Sequence, residues 1–190
     1  MSELFSIQLQ NRQQQGRDGV WLDLPTTTEQ VQAALRQIGI SSDNPQGLFI
    51  SGYFAEEEKR FAIPYNMVLA SNVDELNFLA SRLETLSTGE RAELNAALQA
   101  PQSELFSIGR ITDFPENVDY YVHLPDVHGP AQLGDYYLNR SGMVDMPEEW
   151  KGGIDTAQFG RYVAQQEQGA FTQYGYLVKS GDEWQKVHEG

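Results

Sequence analysis

The sequence predicts an α+β fold, and three observations support this prediction. Short runs that alternate apolar and polar residues near the N-terminus are typical of strands, with one amphipathic helix among them. Residues 67–103 show only helical periodicity, and residues 104–190 mix the two patterns again. At 190 residues, 40% of them hydrophobic, the chain can bury a real core. These breaks divide the chain into three small predicted domains, the first covering residues 1–66.

The first predicted domain is a mixed α+β unit in which strands outnumber helices. Its predicted strands are at 5–9, 20–24 and 48–54, with a fourth expected at 61–63. Between the second and third strands, Val31, Leu35 and Ile38 are spaced to form one face of a helix. The threonines at 26–28 can cap its start, and Gly39 is a natural C-terminal stop.

The second predicted domain is helical and the third is mixed. Apolar residues at helical spacing run from Val73 to Leu86, and a second run extends to Leu98 before Pro101 stops it. The elements predicted for the third domain are a short helix at 105–111, a strand at 120–124, helices at 132–140 and 155–167, and a hairpin of 171–179 with 184–187.

Negative charge is concentrated in residues 111–160. This window holds nine acidic residues against Arg140 and Lys151, a net charge of -7 within a total of -14. The same window contains several tyrosines, phenylalanines and a tryptophan, which a disordered acidic tail would lack. The window is therefore predicted to be a folded surface that displays carboxylates.

Composition excludes several classes of protein. No apolar run is long enough to span a membrane, and the first ten residues lack the regions of a secretory signal. The absence of cysteine removes disulfides and thiolate chemistry and fits a reducing compartment, so we expect a cytoplasmic protein. A pI near 4.5 argues against direct nucleic-acid binding and favours a basic protein partner.

Catalytic and metal chemistry have little support in the sequence. His123 and His128 bracket Asp126, but their spacing across Pro125 fits neither a helix nor a strand, so solvated loop histidines are the favoured interpretation. His188, near the C-terminus, is expected to be inert. No nucleophile elbow or phosphate-binding loop is present, and adjacent carboxylates usually point apart into water. We therefore predict a protein that is not an enzyme and uses no metal or cofactor.

Several segments occur in a recognisable order and spacing. They are Gly19–Pro25, Gln37–Ile40, Asp74–Ala80, Asp135–Pro147 and Ile154–Arg161. Together, over most of the chain, they resemble the ArdA antirestriction family. The resemblance implies an elongated, acidic homodimer, carried by conjugative and other mobile elements, that mimics B-form DNA and occupies the basic DNA-binding groove of type I restriction-modification enzymes. It also implies three small domains and an antirestriction motif at Asp135–Glu149, into which Arg140 intrudes.

The sequence thus favours a non-catalytic DNA mimic that competes with DNA for its partner. At about 1.7 Å of duplex per charge, a net charge of -14 corresponds to about 24 Å of DNA. The predicted contact residues are Glu84, Glu90, Glu93, Asp113, Glu116, Asp119, Asp126, Asp135, Asp145, Glu148, Glu149 and Asp155. The alternative is an acidic adaptor of a mobile element that binds another protein without DNA mimicry.

Overall fold

The computed structural model describes residues 3–14, 16–41 and 43–188 of the chain. These residues form the strands β1 (Phe5–Asn11), β2 (Val20–Leu24), β3 (Leu48–Phe54), β4 (Tyr121–Leu124), β5 (Ala170–Thr172) and β6 (Gly175–Lys179). They also form the helices α1 (Thr28–Gln37), α2 (Tyr65–Leu69), α3 (Val73–Leu83), α4 (Thr88–Gln99), α5 (Ile108–Thr112), α6 (Pro130–Asp135), α7 (Glu148–Lys151) and α8 (Thr156–Glu167). Short 3-10 helices lie at Glu57–Lys59, Phe114–Glu116 and Val118–Tyr120, and a π-helix at Tyr136–Arg140.

The chain divides into two compact units. Unit 1 comprises residues 1–87, 105–115 and 186–190, and unit 2 comprises residues 88–104 and 116–185. Each unit has a three-stranded antiparallel sheet. The predicted α+β class is therefore confirmed, whereas the division into three domains stays a prediction. In the part of the chain that the structure describes, every helix is too short or too polar to traverse a lipid bilayer.

The sheet of unit 1 has the order β2-β1-β3 and follows the predicted alternation closely. Ile7 pairs with Leu22 on one side and with Tyr53 on the other. Phe5, Ile7 and Leu9 are at most 3% exposed, while the intervening residues of β1 face outward. The period of two places one face of β1 on the core, as the sequence pattern predicts.

Helix α1 begins and ends where its capping residues predict. The Thr27 side chain accepts a hydrogen bond from the Gln30 N–H, which satisfies one free donor of the first turn. At the other end Gly39 has φ +70, and the Ile40 N–H donates to the Leu35 carbonyl at 2.9 Å. This is the Schellman arrangement, in which the left-handed residue is normally glycine.

The fourth strand expected in the first domain is absent, so that prediction is wrong. Residues 61–63 have no regular secondary structure and belong to no sheet. Phe61 and Ile63 are 2% and 6% exposed, so the segment reproduces the strand pattern because alternate side chains fill the core. The 3-10 helix at Glu57–Lys59 diverts the chain after β3 and leads it into α2 instead of along the sheet edge.

The two helices predicted between residues 73 and 98 are present as α3 and α4. The Asn72 side chain caps α3 by accepting a hydrogen bond from the Glu75 N–H at 2.9 Å. Leu76, Leu79 and Leu83 are fully buried on one face of α3, which packs against α5 within unit 1.

The core of unit 2 depends on a close approach of two helices. Its central residues are Val127, Leu133, Ala164 and Tyr176. A Cβ on Gly134 of α6 would overlap the Thr156 carbonyl, and one on Gly160 of α8 would overlap the Pro130 carbonyl. Both positions therefore require glycine because each helix lies against the backbone of the other.

The predicted C-terminal hairpin is wrong in its position. Residues 171–179 form two strands, β5 and β6, because Gly175 with φ +113 closes a tight turn between them. Residues 184–187 form no strand. Gln185 is held by the Asn117 side chain instead: the Gln185 N–H donates to Asn117 Oδ1 at 2.7 Å, and Asn117 Nδ2 donates to the Gln185 carbonyl at 2.8 Å.

Candidate functional site

The acidic residues of unit 2 form the strongest candidate for a functional surface. Unit 2 contains 14 acidic and 5 basic residues, a net charge of -9. Eight of the twelve predicted contact residues are solvent-exposed, and all eight lie in this unit. These eight are Glu116, Asp119, Asp126, Asp135, Asp145, Glu148, Glu149 and Asp155. We call them the exposed acids.

Local structure presents the exposed acids in different ways. Glu148 and Glu149 occupy the first turn of α7, where negative charge is stabilised by the helix dipole. Asp155 caps α8 and accepts a hydrogen bond from the Gln158 N–H at 2.9 Å. The others lie in 3-10 helices, in a turn, at the end of α6 and in a segment without regular structure, and all are exposed to solvent.

Four of the exposed acids have neither a hydrogen-bond partner nor a cationic partner among the described residues. These are Asp119, Asp126, Asp145 and Glu149. Glu148, by contrast, is 2.7 Å from Lys151 Nζ. A carboxylate without a partner keeps its full charge available to an incoming cation, whereas a paired one must first exchange its partner.

Arg140 partly neutralises the start of the predicted antirestriction motif. Its Nε lies 3.6 Å from Asp135 Oδ2, and its guanidinium lies 5.6 Å from the centre of the Tyr136 ring. Both contacts arise in the π-helix Tyr136–Arg140, where the Ser141 N–H donates to the Tyr136 carbonyl at 2.8 Å. The wider π-helical turn thus places the one cation of this segment against its first acid.

Unit 2 also contains a partly buried polar network centred on Glu167. The Tyr137 hydroxyl lies 2.9 Å from Glu167 Oε2, and the Tyr176 hydroxyl donates to the same carboxylate. Burial, followed by the bonds to Glu167, raises the pKa of both tyrosines well above the ordinary value. The network joins the π-helix, α8 and β6 through one carboxylate.

Asp113 is a correction to the predicted contact set. It is only 2% exposed and belongs to unit 1, at the C-terminal end of α5. Asp113 Oδ1 accepts the backbone N–H of His188 at 3.0 Å and lies 2.7 Å from His188 Nδ1. The His188 ring also packs edge-on against Phe78 at 4.8 Å. Asp113 therefore holds the C-terminal segment through His188, and the expectation that His188 is chemically inert stays a prediction.

The three predicted glutamates of the helical segment are only half-exposed. Glu84 ends α3 in unit 1, whereas Glu90 and Glu93 lie on α4 in unit 2. Burial, with the charges of Glu90 and Asp119, raises the pKa of Glu93 to about 8, and its Oε1 has no hydrogen-bond partner among the described residues. At neutral pH Glu93 is therefore largely protonated and is a poor substitute for a phosphate.

The interpretation of both histidines as solvated loop residues is wrong for His123, which lies half-buried in β4, whereas His128 is exposed. His123 Nε2 lies 2.7 Å from the Tyr174 carbonyl, and the His128 backbone N–H donates to Gln132 Oε1 at 2.6 Å. Within residues 3–14, 16–41 and 43–188, no group of three histidine or acidic side chains could hold a metal ion.

Two further acids face solvent in unit 2 that the sequence pattern does not single out. Asp182 and Glu183 follow β6 and are both exposed. A pair of adjacent acids directly after a strand end usually faces solvent, and this signal could have identified them from the sequence. They extend the set of candidate contacts.

The fold and the charge distribution define an acidic α+β protein in which four of the eight exposed acids of unit 2 have no partner among the described residues. The profile of the antirestriction protein family ArdA matches residues 15–178, and the chain belongs to this family. No curated protein matches the sequence. Membership implies an antirestriction function, exerted as an inhibitor that interacts with restriction-modification enzymes.

Proposed function

We propose that this protein inhibits type I restriction-modification enzymes by presenting its exposed acids where the enzyme binds DNA phosphates. The observation that carries this proposal is the set of four unpaired carboxylates at Asp119, Asp126, Asp145 and Glu149. Each can accept an arginine or lysine of a basic groove without first breaking an internal ion pair.

The charge balance supports competition with DNA. A groove that binds duplex DNA is lined by cations, and an anionic protein surface attracts it through the same long-range field. Such attraction is screened over about 8 Å at physiological salt, so the affinity falls as salt rises. The proposal includes a homodimer, because a two-fold partner extends one acidic surface into a longer one. It also places the protein in the cytoplasm.

A competition experiment tests the proposal. Purified protein is titrated into a complex of labelled duplex DNA with a type I methyltransferase core, at low and at moderate salt. We expect displacement of the DNA at micromolar protein or below, with weaker displacement at higher salt. Binding to the core without displacement of DNA would favour the acidic adaptor instead, and absence of binding at low salt would exclude both.

A further inference from the structure

The sheet of unit 1 has an outward face that carries two exposed aromatic side chains. Gln8 of β1 pairs with Trp21 of β2 and with Gly52 of β3, so these three residues share this face. Ser6, two positions away on β1, pairs with Asp23 and Phe54. The two rows therefore lie about 7 Å apart along the strands.

Gly52 makes room for the indole to lie over the sheet. A Cβ at Gly52 would lie 3.0 Å from Trp21 Cη2 and 3.1 Å from Gln8 Cβ. Gly52 is buried although it belongs to the outward face, because the indole covers it. Trp21 nevertheless remains 49% exposed, and Phe54 is 55% exposed. The indole thus has a supported inner side and a solvent-facing outer side.

Two carboxyl groups lie at the edge of this aromatic surface. Ser6 Oγ donates to Asp23 Oδ1 at 2.6 Å, which orients the Asp23 carboxylate. The hydrogen bond between Glu3 and Asp23, and then the charge of Asp23, raise the pKa of Glu3. Lys59, the nearby cation, already pairs with Glu56 at 3.1 Å. Asp23 has no cationic partner among the described residues, so an added cation would stabilise its charge without displacing one.

We propose that this aromatic–acid face, formed by Trp21, Phe54 and Asp23, binds an arginine side chain of the restriction-modification enzyme. The proposal rests on the proposed function for the identity of the partner. A guanidinium can stack on the indole and donate two hydrogen bonds to a carboxylate, which a lysine ammonium cannot do in one plane. A nucleic acid would be repelled by the carboxyls, and an apolar segment would leave them unused.

Two substitutions test the face in the DNA competition assay. Trp21→Leu keeps an apolar cover over Gly52 but removes the aromatic face, and Asp23→Asn removes the charge. We expect each to raise the protein concentration needed for half-displacement by about 3- to 10-fold. The matched controls in the same unit are Phe106→Leu, another exposed aromatic, and Asp18→Asn, another exposed acid; both are expected to behave like the parent.

The double variant sharpens the test. If one arginine contacts both residues, the two substitutions are not independent. The double variant Trp21→Leu with Asp23→Asn should then raise the protein concentration for half-displacement by less than the product of the two single fold-changes. Circular dichroism and thermal unfolding confirm that each variant is folded, and Asp23→Asn keeps the test valid should Trp21→Leu unfold. Parent-like displacement by both single variants overturns this inference but leaves the proposed function standing. Failure of the parent itself to displace DNA overturns the proposed function.

Discussion

The two units are built alike but differ in their basic residues. Each has a three-stranded antiparallel sheet, and their acid counts are nearly equal, 13 in unit 1 and 14 in unit 2. Unit 1 has 8 basic residues and unit 2 has 5, which gives net charges of -5 and -9. The stronger negative charge of unit 2 thus comes mainly from missing cations. Unit 2 is more acidic because fewer cations are available to pair with its carboxylates. A count of acidic residues alone does not reveal this difference.

The largest expected effect is that of removing the unpaired carboxylates of unit 2. Asp119→Asn, Asp126→Asn, Asp145→Asn and Glu149→Gln combined should weaken displacement of DNA on the order of 100-fold, because each lost contact is worth up to about 1 kcal/mol. The measurement is the competition titration at low salt. The slope of its salt dependence should fall as well, since fewer ions are exchanged.

A matched variant of unit 1 decides whether position or total charge matters. Asp18→Asn, Asp43→Asn, Glu57→Gln and Glu58→Gln remove the same number of charges from exposed positions. If unit 2 forms the main contact surface, displacement of DNA by this control should weaken by less than about 10-fold, through the long-range field alone. Equal losses in the two variants would show that net charge, not the surface of unit 2, governs binding.

The next largest expected effect comes from the close contact between α6 and α8. Gly134→Ala places a methyl group against the Thr156 carbonyl and should destabilise unit 2 by about 2 kcal/mol, because backbone cannot move aside as a side chain can. Urea unfolding measures the change. Gly89→Ala in α4 is the control: no atom lies within 4 Å of its Cβ position, so it should be neutral or slightly stabilising. Equal stability of the two variants would contradict the close helix contact.

The same comparison shows where the sequence was sufficient. In unit 1 the strands and α1 follow from local patterns, since Thr27 and Gly39 mark the helix ends and alternation marks the sheet. The errors occur where tertiary packing decides. Residues 61–63 alternate without joining a sheet, and the hairpin at Gly175 depends on one positive φ inside an apparently continuous strand. No local pattern distinguishes these cases from ordinary strands.

The sequence predicts which acids belong to the candidate surface better than it predicts which of them are buried or bonded to other side chains. The sequence identifies most of the exposed acids because isolated acids among turns usually face solvent. It cannot show that Asp113 is buried against His188, since 75 positions separate them along the chain. It also gives no sign that Glu93 is shielded within unit 2. Burial and pairing depend on which distant segments meet, and that information appears only in the fold.

Glu93 provides the smallest but most specific prediction, a pH dependence. Its pKa of about 8 in the folded protein exceeds the ordinary value of 4.5, so the folded state binds this proton more tightly than the unfolded state. Its contribution to stability is therefore fully present below about pH 4.5 and is lost as pH rises to about 8. Glu93→Gln should remove that loss.

The free energy of unfolding of Glu93→Gln should equal that of the parent near pH 5 and exceed it at pH 9. Because the side chain is partly exposed, solvent screens its charge and the gain is about 1 kcal/mol. Urea unfolding at both pH values measures it, with Glu149→Gln as a control that removes an exposed carboxylate of the same unit. Parallel pH profiles for the parent and Glu93→Gln would mean that Glu93 is as well solvated as Glu149. In that case Glu93 would be charged at neutral pH and would rejoin the acids available to a basic partner.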